Sequence, residues 1–267
     1  MIGNKTSESL YDVVVVGGGA AGVGVAVTLM DAGIANFVVL ERHRVGASFA
    51  LWPAETRFIT PSFPTNSIGM LDLNAIAIGA SPAHSLQVEH PTGEEYASHL
   101  RAVAQFFELP IRQHTEVMRI TKEGNEFCVQ TADETLRAKH VVWAAGEFQY
   151  PRLTGLVGSE FCRHTATITS YEELDGDGFI VIGGYESGID AAYHLAYRGK
   201  QVRLFDKGCP WEDKSSDPSI ALSPYSLERM CTAQFVAQVQ LFPDTPIASI
   251  TRADAMYEVT AADGRRF

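Results

Sequence analysis

The chain has 267 residues, a formal net charge of −11, 46% apolar residues and 20% charged residues. That length suits one large domain or two small ones around a sizeable core, and the composition is that of a folded protein rather than a disordered one. The acidic balance, with no basic stripe, excludes nucleic acid as the main partner. The longest apolar stretch, 13–27, is too short and too rich in glycine to cross a bilayer, so no membrane partner is expected. The hydrophilic opening residues lack a signal core, which predicts a cytoplasmic chain. Cys128, Cys162, Cys209 and Cys231 form no CxxC pair and read as buried or half-buried free thiols.

In chain order, residues 11–42 open with an apolar β-rich run, a glycine cluster, an alanine-rich helical stretch, Gly33 as a helix stop, and a second apolar run ending in an acid. That order predicts a strand–turn–helix–strand unit. The cluster Gly17-Gly18-Gly19-Ala20-Ala21-Gly22 fits GxGxxG. Gly17 permits the tight turn, Gly19 lets a pyrophosphate approach the backbone, and Gly22 allows close packing of helix on strand. The helix starting there directs free N–H groups and a positive dipole end at phosphates. Glu41 ends the second strand, nineteen residues after Gly22, where it can accept hydrogen bonds from ribose hydroxyls. Residues 43–66 read as a long loop. Residues 93–107 read as a helix with Thr92 as N-cap and Glu94 and Glu95 in its first turn, and Phe106 and Phe107 read as helix core. Residues 120–137 form an alternating hairpin pattern, followed by a buried strand ending at Gly146.

The plan then repeats. Residues 177–207 carry a second apolar run, the cluster Gly183-Gly184-Tyr185-Glu186-Ser187-Gly188, a helical stretch, Gly199 as a stop, and a strand ending in Asp206 and Lys207. Tyr185 stands at the middle glycine position and restricts the approach of a pyrophosphate, so the motif is weaker. A nicotinamide dinucleotide site and a purely structural unit both remain open. Asp206 favours NADH, whereas Lys207 and nearby Arg203 favour NADPH. A loop over 208–222 and a helix over 224–238 follow. The hairpin at 250–267 lies on 120–137 without a gap. The second copy stops before the strand that closes the first, at the position matching Arg137. This predicts an exposed apolar sheet edge.

Two dinucleotide units in one chain call for hydride transfer between cofactors, most simply from nicotinamide to flavin. The motifs at 17–22, Glu41 with Arg42, the loop at 45–63, residues 141–152 and residues 182–192 resemble the two-dinucleotide-binding flavoproteins, specifically bacterial flavin-containing-monooxygenase-like oxidoreductases. The resemblance covers almost the whole chain. It implies an α/β fold of two Rossmann-like, three-layer ββα domains with antiparallel β-meander excursions. Residues 1–150 would bind FAD and residues 151–267 would bind NADPH or NADH. It also implies that Ser48, Phe49, Trp52 and Thr60 border the flavin ring, that Val117 binds adenine through its backbone, and that Ala145 and Gly146 link the two domains. The implied activity takes hydride from NAD(P)H and oxygenates a soft nitrogen or sulfur centre of a small-molecule substrate through a flavin hydroperoxide. The family's Phe, Gly and His fingerprint is absent at its usual spacing: Gly158, Phe161 and His164 stand at other intervals. Reduction of a disulfide or quinone therefore remains open, as does a non-catalytic dinucleotide-binding module. No catalytic acid–base residue or metal site stands out. His84, His90 and Arg57 read as surface residues, and His99 and His194 as packed or solvated helix positions. Oligomeric state is open, a homodimer included.

Overall fold

The structure, a computed structural model, describes residues 10–64, 72–147, 150–254 and 256–267. The opening hydrophilic stretch and the last two residues of the 43–66 loop lie outside them. The chain divides into two compact units, one of residues up to 51 with 61–150, the other of residues 52–60 with 151–267.

In the first unit, β1 (Leu10–Val16) leads through a glycine turn into α1 (Ala20–Asp31) and then β2 (Phe37–Leu40). Short helices α2 (Ala47–Ala50) and α3 (Pro82–Ser85) precede α4 (Gly93–Phe106). The strands β3 (Ile111–Arg112), β4 (Arg119–Glu123), β5 (Glu126–Gln130) and β6 (Thr135–Trp143) complete it. They form one six-stranded sheet in the order β3-β2-β1-β6-β5-β4. β1 pairs in parallel with β2 and β6, while β5 pairs antiparallel with β4 and β6. β6 is thus both the last meander strand and the central partner of β1.

The two-residue period of β1 explains its burial. Val14 and Val16 pack with Val38, Leu40, Val129 and Leu136, whereas Val13 and Val15 pack with Ala26, Phe37 and Val39. Both faces of the strand are covered, and each such side chain contributes roughly 1.5–3 kcal/mol on burial. α4 starts where the sequence places it: Thr92 Oγ1 accepts from Glu95 N while Glu95 reaches back to Thr92 N, a reciprocal capping box. Phe106, however, is 81% exposed rather than core, because the buried stripe of α4 runs through Tyr96, Leu100 and Val103. β6 also departs from a buried strand: Trp143 is 63% exposed, since the packed face covers Leu136 and Ala138 and stops short of the strand's end.

The second unit contains β7 (Gly178–Ile182), α5 (Glu186–Tyr197) and β8 (Gln201–Phe205), then α6 (Pro224–Met230), α7 (Ala233–Gln238) and β9 (Val239–Phe242). The single helix expected over 224–238 is broken at Cys231 and Thr232, which cap the two pieces. β7, β8 and β9 form a parallel sheet in that order. A hairpin of β10 (Ile247–Ala253) and β11 (Met256–Ala261) forms a second sheet. The gap-free repeat is exact in register across the two hairpins. Ile120 opposes Val129 as Ile250 opposes Val259, and Glu123 opposes Glu126 as Ala253 opposes Met256. Residues 265–267 turn back along β11: the N–H of Phe267 donates to Val259 O and that of Val259 to Phe267 O. These residues occupy the positions that match 135–137 at the start of β6. Phe267 packs 5.0 Å from both Phe205 and Phe242. Gly33 and Gly199 close α1 and α5 alike, with φ of +74° and +75°.

Candidate functional site

Each glycine turn is shaped by contacts that exclude side chains. Gly17 and Gly183 have φ of +109° and +100°, a region that L side chains rarely adopt. A Cβ on Gly22 would stand 1.8 Å from Gly17 O, and one on Gly188 would stand 1.8 Å from Gly183 O. Both helices can approach their strands only because these positions are glycine.

The acids at the ends of the second strands reach back to these turns. Glu41 Oε2 accepts from Gly18 N at 2.6 Å, and Oε1 accepts from His43 N at 2.7 Å. Asp206 Oδ2 accepts from Gly184 N at 2.6 Å, and Oδ1 accepts from Gly208 N at 2.7 Å. In both copies a carboxylate ties its own strand end to the second glycine of the turn. This holds the turn open and sets the acid at its mouth, where a ribose would lie.

The first-copy helix begins at Gly19 with no side-chain cap and no acidic residue in its first turn. Its leading N–H groups, at Ala20 and Ala21, present a positive end to an anion. The space above Gly19 is open, with Ser48 Oγ as the nearest atom, 3.9 Å from a built Cβ. Phe49 packs edge-on against Tyr96 at 4.9 Å. Arg42 lies 3.7 Å from Glu116, beside Glu41 at the strand end. Val117 is half-buried against the β1 core. Among the described residues its N–H and carbonyl make no hydrogen bond, so both are available to an adenine edge. Ala144 N donates to Val16 O, which brings Ala145 and Gly146 (φ +82°) to the turn. Glycines, acid, open helix end and available peptide are the donor set that a dinucleotide calls for.

In the second copy, Tyr185 has φ −84° and ψ −170°, against −80° and −168° at Gly19. The backbone is therefore the same, and glycine is not required there by conformation. The Tyr185 hydroxyl donates to the Pro218 carbonyl, with the Ala221 carbonyl 3.2 Å away, which draws the ring toward that loop. Glu186 accepts from Ser223 N at 2.6 Å and from the Ser226 hydroxyl, fastening α6 to α5. Ser187 and Gly188 complete the helix start, and Lys207 is exposed beside Asp206. Trp211, not apparent from the motif, closes on the turn: a Cβ on Gly184 would meet its ring at 2.4 Å.

Trp52 and Thr60 lie in the segment that packs with the second unit, whereas Ser48 and Phe49 belong to the first. Trp52 stacks at a tilt on Phe58, 5.1 Å away. Residues 54–56 are anchored, a feature with no motif to announce it. Ala54 N donates to Thr169 O at 2.9 Å. Glu55 accepts from Ser170 Oγ, Tyr171 N and Arg198 Nη2 at 2.7, 3.1 and 2.9 Å. Burial raises the Glu55 pKa, but these donors outweigh it and hold the carboxyl below its ordinary range. Thr56 Oγ1 donates to Asp190 Oδ2 at 2.6 Å, and Arg229 Nη1 donates to Asp190 Oδ1 at 2.7 Å. Burial likewise raises the Asp190 pKa, and its donors Arg229 and Thr56 help to bring it below the ordinary value. His194 Nε2 lies 2.7 Å from Arg229 Nη2 and 3.4 Å from Asp190 Oδ1. Arginine can only donate, so Nε2 accepts from it.

The cysteines are free. Cys162 and Cys231 are exposed rather than buried, because each sits in a turn at a helix end. Partial desolvation together with the neighbouring acids Glu160 and Glu212 pushes the Cys162 and Cys209 thiols up, opposite to what a reactive thiolate needs. His99, by contrast, is buried against Tyr96 and bonded to Ser85 Oγ at 2.7 Å. Among the described residues no group of His, Cys, Asp and Glu could hold a metal, and no helix is long and apolar enough to cross a membrane.

An oxidoreductase of uncharacterized role, CzcO of Bacillus velezensis, is 28% identical over 192 residues, 70% of this chain and 52% of its own length. The chain spans about half the length of the curated relatives it matches first. Among solved structures, the bacillithiol disulfide reductase Bdr of Staphylococcus aureus superposes with a TM-score of 0.74 at 20% identity, covering 97% of this chain and 73% of that one. The flavin-containing monooxygenase of Stenotrophomonas maltophilia gives 0.70 at 20%, covering 97% and 76%. The model of the pyridine nucleotide-disulphide oxidoreductase family matches residues 14–267, and the chain belongs to that family.

Proposed function

We propose that the chain is the dinucleotide-binding part of an FAD-dependent oxidoreductase that takes hydride from NADH or NADPH. The observation that carries this reading is the repeated acid-to-glycine bridge, Glu41 to Gly18 and Asp206 to Gly184. In this reading Gly17, Gly19, Ala20, Ala21 and Gly22, with Ser48, receive the flavin dinucleotide's pyrophosphate. Glu41 accepts from its ribose, Arg42 flanks the acid, and the Val117 peptide meets its adenine. Gly183, Ser187 and Gly188 receive the nicotinamide dinucleotide, with Asp206 at its ribose. When both are bound, the pair supplies two-electron hydride transfer from nicotinamide to flavin.

In this reading the chain's own residues orient the cofactors. Onward transfer does not use a dithiol of this chain, because the four cysteines form no pair. Oxygenation of a soft nitrogen or sulfur centre is the finer reading, in keeping with the resemblance to flavin-containing monooxygenases. A second reading, direct reduction of a small disulfide, is supported by the fold likeness to the bacillithiol disulfide reductase. Anaerobic addition of NADH or NADPH to FAD-loaded protein is expected to bleach the flavin, and a flavin that stays oxidised overturns the proposal. Readmitting oxygen with an amine or thioether, or adding a disulfide without oxygen, then separates the two readings by the product formed.

A further inference from the structure

Helix α5 carries two sets of contacts within one unit. Its N-terminal end follows the Gly183–Gly188 turn. Its body presents Asp190, His194 and Arg198, a row at i, i+4 and i+8 that lies on one face. That face grips residues 54–56. Thr56 donates to Asp190, and Arg198 donates to Glu55 and to Glu172 at 2.9 Å each. The grip is built rather than incidental. The side chains of Asp190 and Arg229 are 9% and 7% exposed, and that of Glu55 is 14% exposed. Arg229 is also sandwiched between rings, 4.0 Å from the Tyr193 centroid and 4.9 Å from that of Tyr225, and Tyr171 stacks on His194 at 5.5 Å. A segment donated from early in the chain, between Leu51 and Pro61, is thereby fixed to the helix of the later glycine turn.

We propose that Glu55 and Thr56 are positioning residues that couple the second glycine turn to the Trp52–Thr60 segment, so that a nicotinamide dinucleotide bound at the start of α5 tightens that segment through Asp190 and Arg198. The inference rests on the reading of residues 183–188 as a nicotinamide site. It adds a consequence: occupancy of that site is transmitted to Trp52 and Thr60, the residues that the resemblance assigns to the flavin ring. Binding that orders α5 can influence only what α5 touches differently in the two states, and the side chains it touches here are named.

The test is amide hydrogen exchange over residues 52–60 of the full chain, with and without NAD+ and NADP+, alongside calorimetric binding of each. Dinucleotide is expected to slow exchange in the wild type. Thr56→Val, nearly isosteric but lacking the hydroxyl, is expected to abolish the slowing while dinucleotide still binds. Glu55→Gln is expected to do the same, and Thr56→Ser to restore it. A merely structural anchor would raise exchange equally with and without dinucleotide, and that result overturns the coupling. So does slowing that persists in Thr56→Val and Glu55→Gln. If calorimetry detects no binding of either dinucleotide, the nicotinamide reading itself fails. The anchor is then judged separately, on whether Thr56→Val exchanges faster than Thr56→Ser in the unliganded protein.

Discussion

At the first glycine turn, the Ala144 carbonyl stands 2.3 Å from where a Gly17 side chain would begin, whereas the same space at Gly183 is open. The difference is the returning strand. β6 brings Ala144 to the first turn and flanks β1, so Val14 and Val15 are completely buried. β7 has β8 on one side and, among the described residues, no strand on the other. Its Phe179, Ile180 and Val181 stay half-buried, and Ile182 is 39% exposed. The same local chemistry, two glycines and an acid, is therefore built on a central strand in one copy and on an edge strand in the other. Turn geometry is set locally by Gly17–Gly22 and Gly183–Gly188, while burial is set by what the rest of the chain brings alongside. In the second copy a network of charges around Asp190 and Arg229 adds to a smaller sheet.

The largest effect expected from that contrast is at Arg229. Arg229→Met strands the buried Asp190 carboxylate, at a cost of about 3–5 kcal/mol. Chemical denaturation followed by amide exchange is expected to show the loss confined to residues 52–60 and 151–267, and destabilisation spread evenly over both units would break the comparison. Next come the paired acids. Glu41→Ala removes two hydrogen bonds that a charged group accepts in the first copy, and Asp206→Ala removes their counterparts in the second. Each is expected to weaken its own dinucleotide about tenfold or more and to leave the other near wild type. Calorimetric titration of FAD and NAD(P)+ into both variants measures this, and a loss of both ligands in either variant would contradict separate sites.

The smallest effect is the pH at which each unit starts to weaken. His99, in the first unit, has its pKa lowered by burial, with Asp72 opposing. The unfolded chain takes up that proton first, so stability is lost as pH falls below the ordinary histidine value of 6.5. Asp190 and Glu55, in the second unit, are also lowered, from 3.8 and 4.5, but as acids that are stabilising while ionised. Their contribution is full above those values and disappears only as pH falls through the depressed ones. Exchange measured from pH 7.5 to 3 is expected to show the first unit softening earlier, and His99→Phe to remove that early onset. An identical onset in both units would contradict the assignment.

Much of this architecture was legible in the residues themselves. Glycine spacing, the acids Glu41 and Asp206, the Thr92 cap and the hairpin repeat act over a few residues or one strand–helix unit, and their chemistry is local. The Ala54–Thr56 anchor was not legible, because Thr56 and Asp190 are 134 positions apart and neither belongs to a motif. Trp211 and the sharing of β6 between β1 and β5 were hidden for the same reason. The tie between the Tyr185 hydroxyl and the 218–221 loop was hidden as well, because the loop lies more than thirty positions from that residue.

The most direct test of two separate dinucleotide sites is the binding of FAD and NAD(P)+ to Gly22→Ala and Gly188→Ala, with circular dichroism to confirm that each variant folds. Each new methyl would meet a glycine carbonyl at 1.8 Å, which displaces the turn it belongs to. Gly22→Ala is expected to lose FAD and keep the nicotinamide dinucleotide, and Gly188→Ala to do the reverse. Retention of FAD by a folded Gly22→Ala variant, or its loss from a folded Gly188→Ala variant, would contradict it.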